Sequence, residues 1–435
     1  MASLVQQAVD AIIRPPRTEY DHTAMPLYLD AGKDGIYIRH PIRFTTKRGI
    51  NLVGSIYHCQ NVDIMEGGPC VIYLHGNASS QLEGQFLVPN FCPHKIFVFC
   101  FDFAGSGCSE GKYISLGYFE TSDTLEAITL LNETFNMGPF ILWGRSMGAA
   151  VSLLVDSPLV IGKISDSSFT SITDMVSAIG TSMKLPSAFM PAVIWFLKRK
   201  VIEQAEFDLS SVSPLNAVKH NNYPTVFGHS ENDQFIPFIQ CRELFDASIN
   251  PMKYMMVLAG GHNSRREEQW LHLGITFTLN LLGIDVPNLV ISEARSLQEA
   301  VCHFNSFNEL VKDSKTRNKD EEENENNNNT NENTENKNES ENNKNNKNKK
   351  QHKRKHHMHK KKENKLTDVT VQTDEIFQMP PLKESLSTQL SQIFEEQVKG
   401  DASKEETAVP KMSDEKEILS SSSGEASDED LISFD

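Results

Sequence analysis

An α/β fold with a mostly parallel central sheet flanked by helices is expected for about the first 300 of the 435 residues. Three observations carry it. Apolar runs of strand length recur from Tyr37 to Leu258; those in the middle are continuous rather than alternating, as in strands buried on both faces; and helix-period patterns separate them. After Phe307 this regularity stops.

Residues 3–13 place Leu4, Val5, Ala8, Ile12 and Ile13 at helical spacing before Pro15 and Pro16, which predicts a short amphipathic helix. It either packs on the domain's own surface or docks on a membrane or partner. Strand-like runs at Ile42–Thr46 and Asn51–His58, joined by a turn at Lys47, Arg48 and Gly49, read as a hairpin. Buried strands follow at 71–75, 96–101 and 140–143, with a crossover helix in 115–135 carrying Leu116, Phe119, Leu125, Ile128 and Leu131 on one face. Further strands are expected at 162–165, 223–227 and 253–258, and helices near 148–155, 238–248 and 265–282. Residues 172–205 interrupt the alternation with a second apolar helical stretch, broken by Pro186 and Pro191. It is either a small helical cap over a pocket or a segment packed on the sheet's flank.

The expected division is an N-terminal segment over 1–34, a catalytic domain over 35–310 and a long C-terminal tail over 311–435. From Asp313 to about Leu366 the tail is nearly all Asn, Glu and Lys, ending in the basic, His-rich run at 351–362, and an acidic Ser-rich stretch lies near its end. Such composition cannot bury enough apolar area to offset chain entropy, so the tail is expected to be disordered, with at most a transient helix over Leu382–Gln397.

Net charge is −16, of which −9 falls on residues 1–310 and −7 on the remainder. Neither part is basic, so nucleic acid is not an expected partner. The seven cysteines are scattered without a C-x-x-C pair, and several lie inside apolar runs. They read as free thiols of a reducing compartment, and no metal or cofactor is expected. No basic stretch leads into an apolar one at the N-terminus, and the longest apolar run, Phe189–Leu197, is about half the ~20 residues that a membrane span needs. The expected location is cytoplasmic, or peripheral at the cytosolic face of a membrane.

Gly144-Arg145-Ser146-Met147-Gly148 satisfies G-x-S-x-G between the apolar strand F-I-L-W and a small-residue helix start at Ala149. A strand-turn-helix elbow holds a serine hydroxyl out at the carboxyl edge of a sheet, and glycine on both sides leaves room for the turn. That hydroxyl needs an imidazole to take its proton and a carboxylate to fix the imidazole, in chain order Ser, acid, His. His262, in Gly260-Gly261-His262-Asn263 after the last strand, is the expected base, in preference to His220, His229 and His272. Asp233, in the loop after the strand ending at Gly228, is the expected acid, with Asp166 as its rival; His229 is placed to orient the acid loop. Backbone N–H groups of Met147 and Asn77 are expected to form the oxyanion hole, Asn77 lying in His75-Gly76-Asn77-Ala78.

In this order H-G-N-A, F-D-F-A-G-S-G-C-S-E-G, G-R-S-M-G, D-x-x-I-P and G-G-H-N resemble the α/β-hydrolase superfamily over about residues 35–285, within its serine aminopeptidase-like and Bem46-like branch. Asp102 with Gly105, Gly107 and Gly111 looks like that family's structural loop. R-P-P-R-T-E-Y-D is similar to the α/β-hydrolase domain-containing protein 17 group, whose implied activity is removal of palmitate from protein cysteines. That group's N-terminal cysteine cluster is absent here, the first cysteine being Cys59, and Ser230 stands where the family's H-G-x-x-D has glycine. A serine hydrolase acting on acyl esters or thioesters, with an acylated protein or lipid-like ester as substrate, is the leading expectation. A lipid or small-molecule carboxylesterase is its alternative, as is, from another class, an idle scaffold recruiting partners through the tail.

Overall fold

The computed structural model describes residues 2–31, 35–286 and 302–304. Its strands are β1 (Tyr28–Asp30), β2 (Ile36–Thr45), β3 (Asn51–Cys59), β4 (Gly68–Leu74), β5 (Phe97–Phe101), β6 (Met137–Arg145), β7 (Val160–Asp166), β8 (Thr225–Ser230), β9 (Lys253–Leu258) and β10 (Cys302–Phe304). Among the described residues they form one sheet in the order β10–β1–β2–β3–β5–β4–β6–β7–β8–β9. The six strands from β5 to β9 run parallel, and β10, β1, β2 and β3 extend the sheet antiparallel. The β2–β3 hairpin and all six parallel strands stand where the apolar runs place them, although β9, at the sheet's edge, buries only Leu258. The three-residue β1 and β10 are too short to leave a periodic pattern.

The helices are α1 (Ala2–Ile13), α2 (Val88–Phe91), α3 (Tyr118–Phe135), α4 (Met147–Leu154), α5 (Ile172–Ser182), α6 (Met190–Ala205), α7 (Pro214–Val218), α8 (Phe238–Ala247) and α9 (Glu268–Leu281). The sequence pattern starts α3 three residues early. Glu120 caps its true start by accepting from the backbone N–H groups of Ser115 and Gly117, each at 2.8 Å.

Alternation along β4 divides the core into two layers. Ile72 and Leu74 face a cluster with Phe99, Leu142, Ile128 and Val151, whereas Val71 and Tyr73 face one with Val98, Trp143, Trp270 and Ile275. The first layer also takes up the 172–205 insertion through Met175, Val176, Val193, Leu197 and Val201. The insertion is the helix pair α5 and α6, with a 3-10 turn at Ser187–Phe189 next to the two prolines. Helix α1 packs on α6: Val9 and Ile13 are fully buried, and Gln6 and Gln204 exchange side-chain hydrogen bonds at 2.9 Å. It therefore rests on the domain's own surface. No described helix is long and apolar enough to cross a membrane. The tail, including the 351–362 basic run and Leu382–Gln397, lies outside the described residues.

The winding of the sheet selects a location for function. Strand β5 lies on one side of β4 and β6 on the other, so the chain reverses its direction of travel at β4. Ligands of open parallel sheets bind outside the carboxyl ends at such a reversal. The loops after β4 and β6 begin at His75 and Ser146.

Candidate active site

Ser146 sits between β6 and α4 with φ 51° and ψ −114°, a conformation that L-residues rarely adopt and that persists only where the surroundings impose it. The imposition is steric. A Cβ at position 144 would lie 2.0 Å from the carbonyl oxygen of Gly148, and one at 148 would lie 1.9 Å from that of Leu74. Only a glycine pair lets the turn close that tightly. The Ser146 N–H also donates to the carbonyl of Asp166 at 2.7 Å, continuing the β6–β7 ladder.

His262 places Nε2 2.9 Å from Ser146 Oγ and Nδ1 2.6 Å from Asp233 Oδ2. The structure brings Ser146, His262 and Asp233 together in one continuous chain of hydrogen bonds. Asp233 Oδ1 accepts from the backbone N–H groups of Phe235 and Ile236, each at 2.8 Å. His229 is fully buried, its Nε2 2.8 Å from the Ile236 carbonyl and 3.2 Å from Asp233 Oδ2, so one N–H bridges the acid and its own loop. Burial alone would raise the Asp233 carboxyl, but the hydrogen bonds from His229 and His262 outweigh it and hold the group well below the usual carboxylate range. The ring of Phe235 packs against that of His262 at 5.2 Å.

Asp166 does not reach His262. It pairs with Arg266, Nε to Oδ2 at 2.7 Å, and this contact holds it ionised against the cost of burial. Arg266 in turn donates to the carbonyls of Gly261, Ser264 and His262 at 3.0–3.2 Å. Arg145 donates to the His262 carbonyl at 3.1 Å and to Glu83 Oε1 at 2.8 Å. Two part-buried guanidinium groups therefore pin the loop that carries His262. Ser230 donates its hydroxyl to the Gly260 carbonyl, joining the acid loop to the histidine loop.

The loop after β4 lies against the elbow, since a Cβ on Gly76 would be 3.8 Å from that of Ser146. Glu83 Oε2 accepts from Gly76 N–H at 2.8 Å, while the Gly76 carbonyl takes His75 Nδ1 at 2.7 Å and Ser79 N–H at 3.3 Å. His75 Nε2 accepts from Phe103 N–H at 3.1 Å, so the ring carries its proton on Nδ1. In a trans peptide the N–H points opposite to the carbonyl, so these contacts turn the Asn77 N–H the other way. Met147 is the first residue of α4, where a backbone N–H has no partner within the helix. His220 Nδ1 donates to the Asn216 carbonyl at 2.9 Å, within its own turn, and stands apart from the site. Glu83, Arg145 and Arg266 are the site residues that motif reading misses. The only local hint is the pair Arg265-Arg266 just after the histidine loop.

No protein-family model matches the chain. It is similar to the uncharacterized protein YqkD of Bacillus subtilis, 27% identical over 199 residues that make up 44% of this chain and 64% of that one. It is similar to the uncharacterized protein YfhR of Escherichia coli K12, 24% identical over 230 residues, 51% of this chain and 72% of that one. It is also similar to the lysophosphatidylserine lipase ABHD12 of Danio rerio, 27% identical over 189 residues, 41% of this chain and 47% of that one. The match thus spans less than two thirds of the first and the last of these relatives. Among solved structures, the Pyrococcus furiosus esterase Pf2001 is 20% identical with a TM-score of 0.44, covering 61% of this chain and 98% of that one. The acetyl xylan esterase 1 of Thermoanaerobacterium is 15% identical with a TM-score of 0.46, covering 64% and 93%. By its parallel sheet with flanking helices and its strand-turn-helix elbow at Ser146, the chain carries the α/β-hydrolase fold.

Proposed function

We propose that the protein is a serine hydrolase that cleaves acyl esters or thioesters through an acyl-Ser146 intermediate. The single observation that carries this reading is the unbroken Ser146–His262–Asp233 chain at the carboxyl edge of the sheet. Ser146 Oγ attacks the acyl carbonyl while its proton passes to His262 Nε2, and Asp233 stabilises the imidazolium that forms. The carbonyl oxygen becomes an oxyanion held by the N–H groups of Met147 and Asn77, the first aided by the α4 dipole. Collapse breaks the bond to the alkoxide or thiolate, which takes the proton from His262. Water then attacks the acyl-serine, gives a proton to His262, and releases the acid as Ser146 recovers its own.

Within that class, palmitoyl-protein thioesters are the substrate supported by the R-P-P-R-T-E-Y-D and H-G-N-A resemblance, with the apolar α5–α6 insertion serving as a cap for the acyl chain. The similarity to a lysophosphatidylserine lipase supports lysophospholipid esters as a second reading. A serine-directed fluorophosphonate should label the wild type and not Ser146→Ala; equal labelling of both would sink the assignment. Matched palmitoyl thioester, lysophospholipid and amide substrates then separate the readings, the preferred one showing the highest kcat/KM on the thioester.

A further inference from the structure

The segment between α1 and β1 is not absorbed by the chemistry above, yet Arg17, Thr18 and Tyr20 tie it to three other parts of the chain. Arg17 forks onto the carbonyls of Ser109 and Gly111 at 2.9 and 2.8 Å. Tyr20 donates its hydroxyl to Asp102 Oδ2 at 2.5 Å and accepts from Gln81 Nε2 at 2.6 Å, and Gln81 N–H donates to Asp102 Oδ1 at 2.7 Å. Thr18 Oγ1 donates to the carbonyl of Ala78 at 2.8 Å. That last contact falls one residue after Asn77, in the loop that borders Ser146.

Ala78 is the strained point of this loop. Its φ is 59°, a left-handed conformation that alanine holds only when its surroundings enforce it. Its N–H is taken by Asn77 Oδ1 at 3.0 Å and its carbonyl by Thr18, so both of its backbone groups are tied. The Thr18 hydroxyl is the tie that comes from outside the loop. At its other end the arm continues into α1, where the Ile13 carbonyl accepts from Ile114 N–H at 2.9 Å and the helix packs on α6 of the insertion. One continuous segment therefore joins the insertion to the loop that bears Asn77.

We propose that the arm from Arg14 to Asp21 is a clamp that positions the oxyanion loop, with Thr18 as the positioning residue. The assignment rests on the serine-hydrolase reading and adds to it a requirement outside the motifs. A hydroxyl aimed at the Ala78 carbonyl holds the Ala78–Ser79 peptide, one residue past Asn77, and a displaced oxyanion donor costs rate without changing which groups react.

The test compares the second-order rate of fluorophosphonate labelling in wild type, Thr18→Val and Thr18→Ser, with hydrogen–deuterium exchange of the peptide spanning 76–81 as a readout independent of activity. Valine keeps the shape and loses the donor. The expected result is labelling about 10- to 100-fold slower in Thr18→Val, recovery in Thr18→Ser, and faster exchange confined to 76–81. Labelling of Thr18→Val at the wild-type rate, or no recovery by serine, overturns the clamp. Should Thr18→Val not fold, Tyr20→Phe removes the neighbouring tie and is read in the same way. A wild type that is not labelled at all, or is labelled equally after Ser146→Ala, would instead be the failure of the hydrolase reading.

Discussion

The elbow that carries Ser146 and the loop that carries His262 meet at 2.9 Å, yet they are held in place by opposite means. The elbow is fixed by what is missing next to it: two absent Cβ atoms at 144 and 148 let backbone close on backbone. The histidine loop is fixed by what reaches it from afar. Arg145 is 117 positions away from His262 in the chain, and the Arg266 that grips the loop is anchored on Asp166, 100 positions away. Local sterics leave no alternative geometry, whereas a remote clamp can be weakened by degrees.

That difference predicts how each fails. Gly148→Ala places a Cβ 1.9 Å from the Leu74 carbonyl, and no flexible side chain lies between to give way. The backbone of β4 or α4 must shift, costing about 3 kcal/mol and displacing Ser146. We expect labelling of Ser146 to disappear and the thermal midpoint to fall with it. A stable Gly148→Ala protein labelled at the wild-type rate would show that the elbow is not sterically determined.

The same difference explains what could be read from sequence. A local constraint leaves a local mark, so Gly144, Ser146 and Gly148 stand together as a motif. Asp233 and His262 were legible because each follows a strand whose carboxyl end the sheet places at one edge. Glu83, Arg145 and Arg266 were not, because contacts between a guanidinium and a carboxylate or carbonyl far away in the chain have no spacing rule. Asp166 shows the limit most sharply. On sequence it competes with Asp233 for the acid's role, and only the position of Arg266 assigns it to bracing. The arm was legible as a distinctive string, R-P-P-R-T-E-Y-D, but its contacts with Ala78, Asp102 and Gln81 required the fold.

Arg266→Lys sharpens the comparison with a smaller effect. Lysine keeps a positive charge for Asp166 and gives up the planar fork that also reaches the carbonyls of Gly261, Ser264 and His262. The loop should loosen with the fold intact, lowering kcat/KM on an activated ester about tenfold while the thermal midpoint stays near that of wild type. An unchanged kcat/KM would mean that Arg145 alone suffices to hold the loop.

The smallest expected effect on activity lies at the far end of the elbow helix. Lys163 is 1% exposed on β7 and donates to the carbonyls of Leu153 and Val155, closing the C-terminus of α4, with its ammonium 4.0 Å from the centre of the Tyr223 ring. Burial pulls this lysine down to about 7, against a weaker upward pull from Asp156. In the unfolded chain it titrates at about 10.4. Between those two values the unfolded state holds a proton that the folded state lacks, so the contribution of Lys163 to stability rises with pH, by at most about 1.4 kcal/mol per unit. Below about 7 both states are protonated and the contribution is flat at its lowest level. Unfolding free energies of wild type and Lys163→Met, measured from pH 6 to 10, isolate this group, because buried thiols and tyrosines that titrate in the same range are common to both. The difference should grow in favour of wild type as pH rises above 7. A difference independent of pH would mean that the two carbonyls and the Tyr223 ring keep the ammonium charged, making the helix end another cation-held structure like the histidine loop.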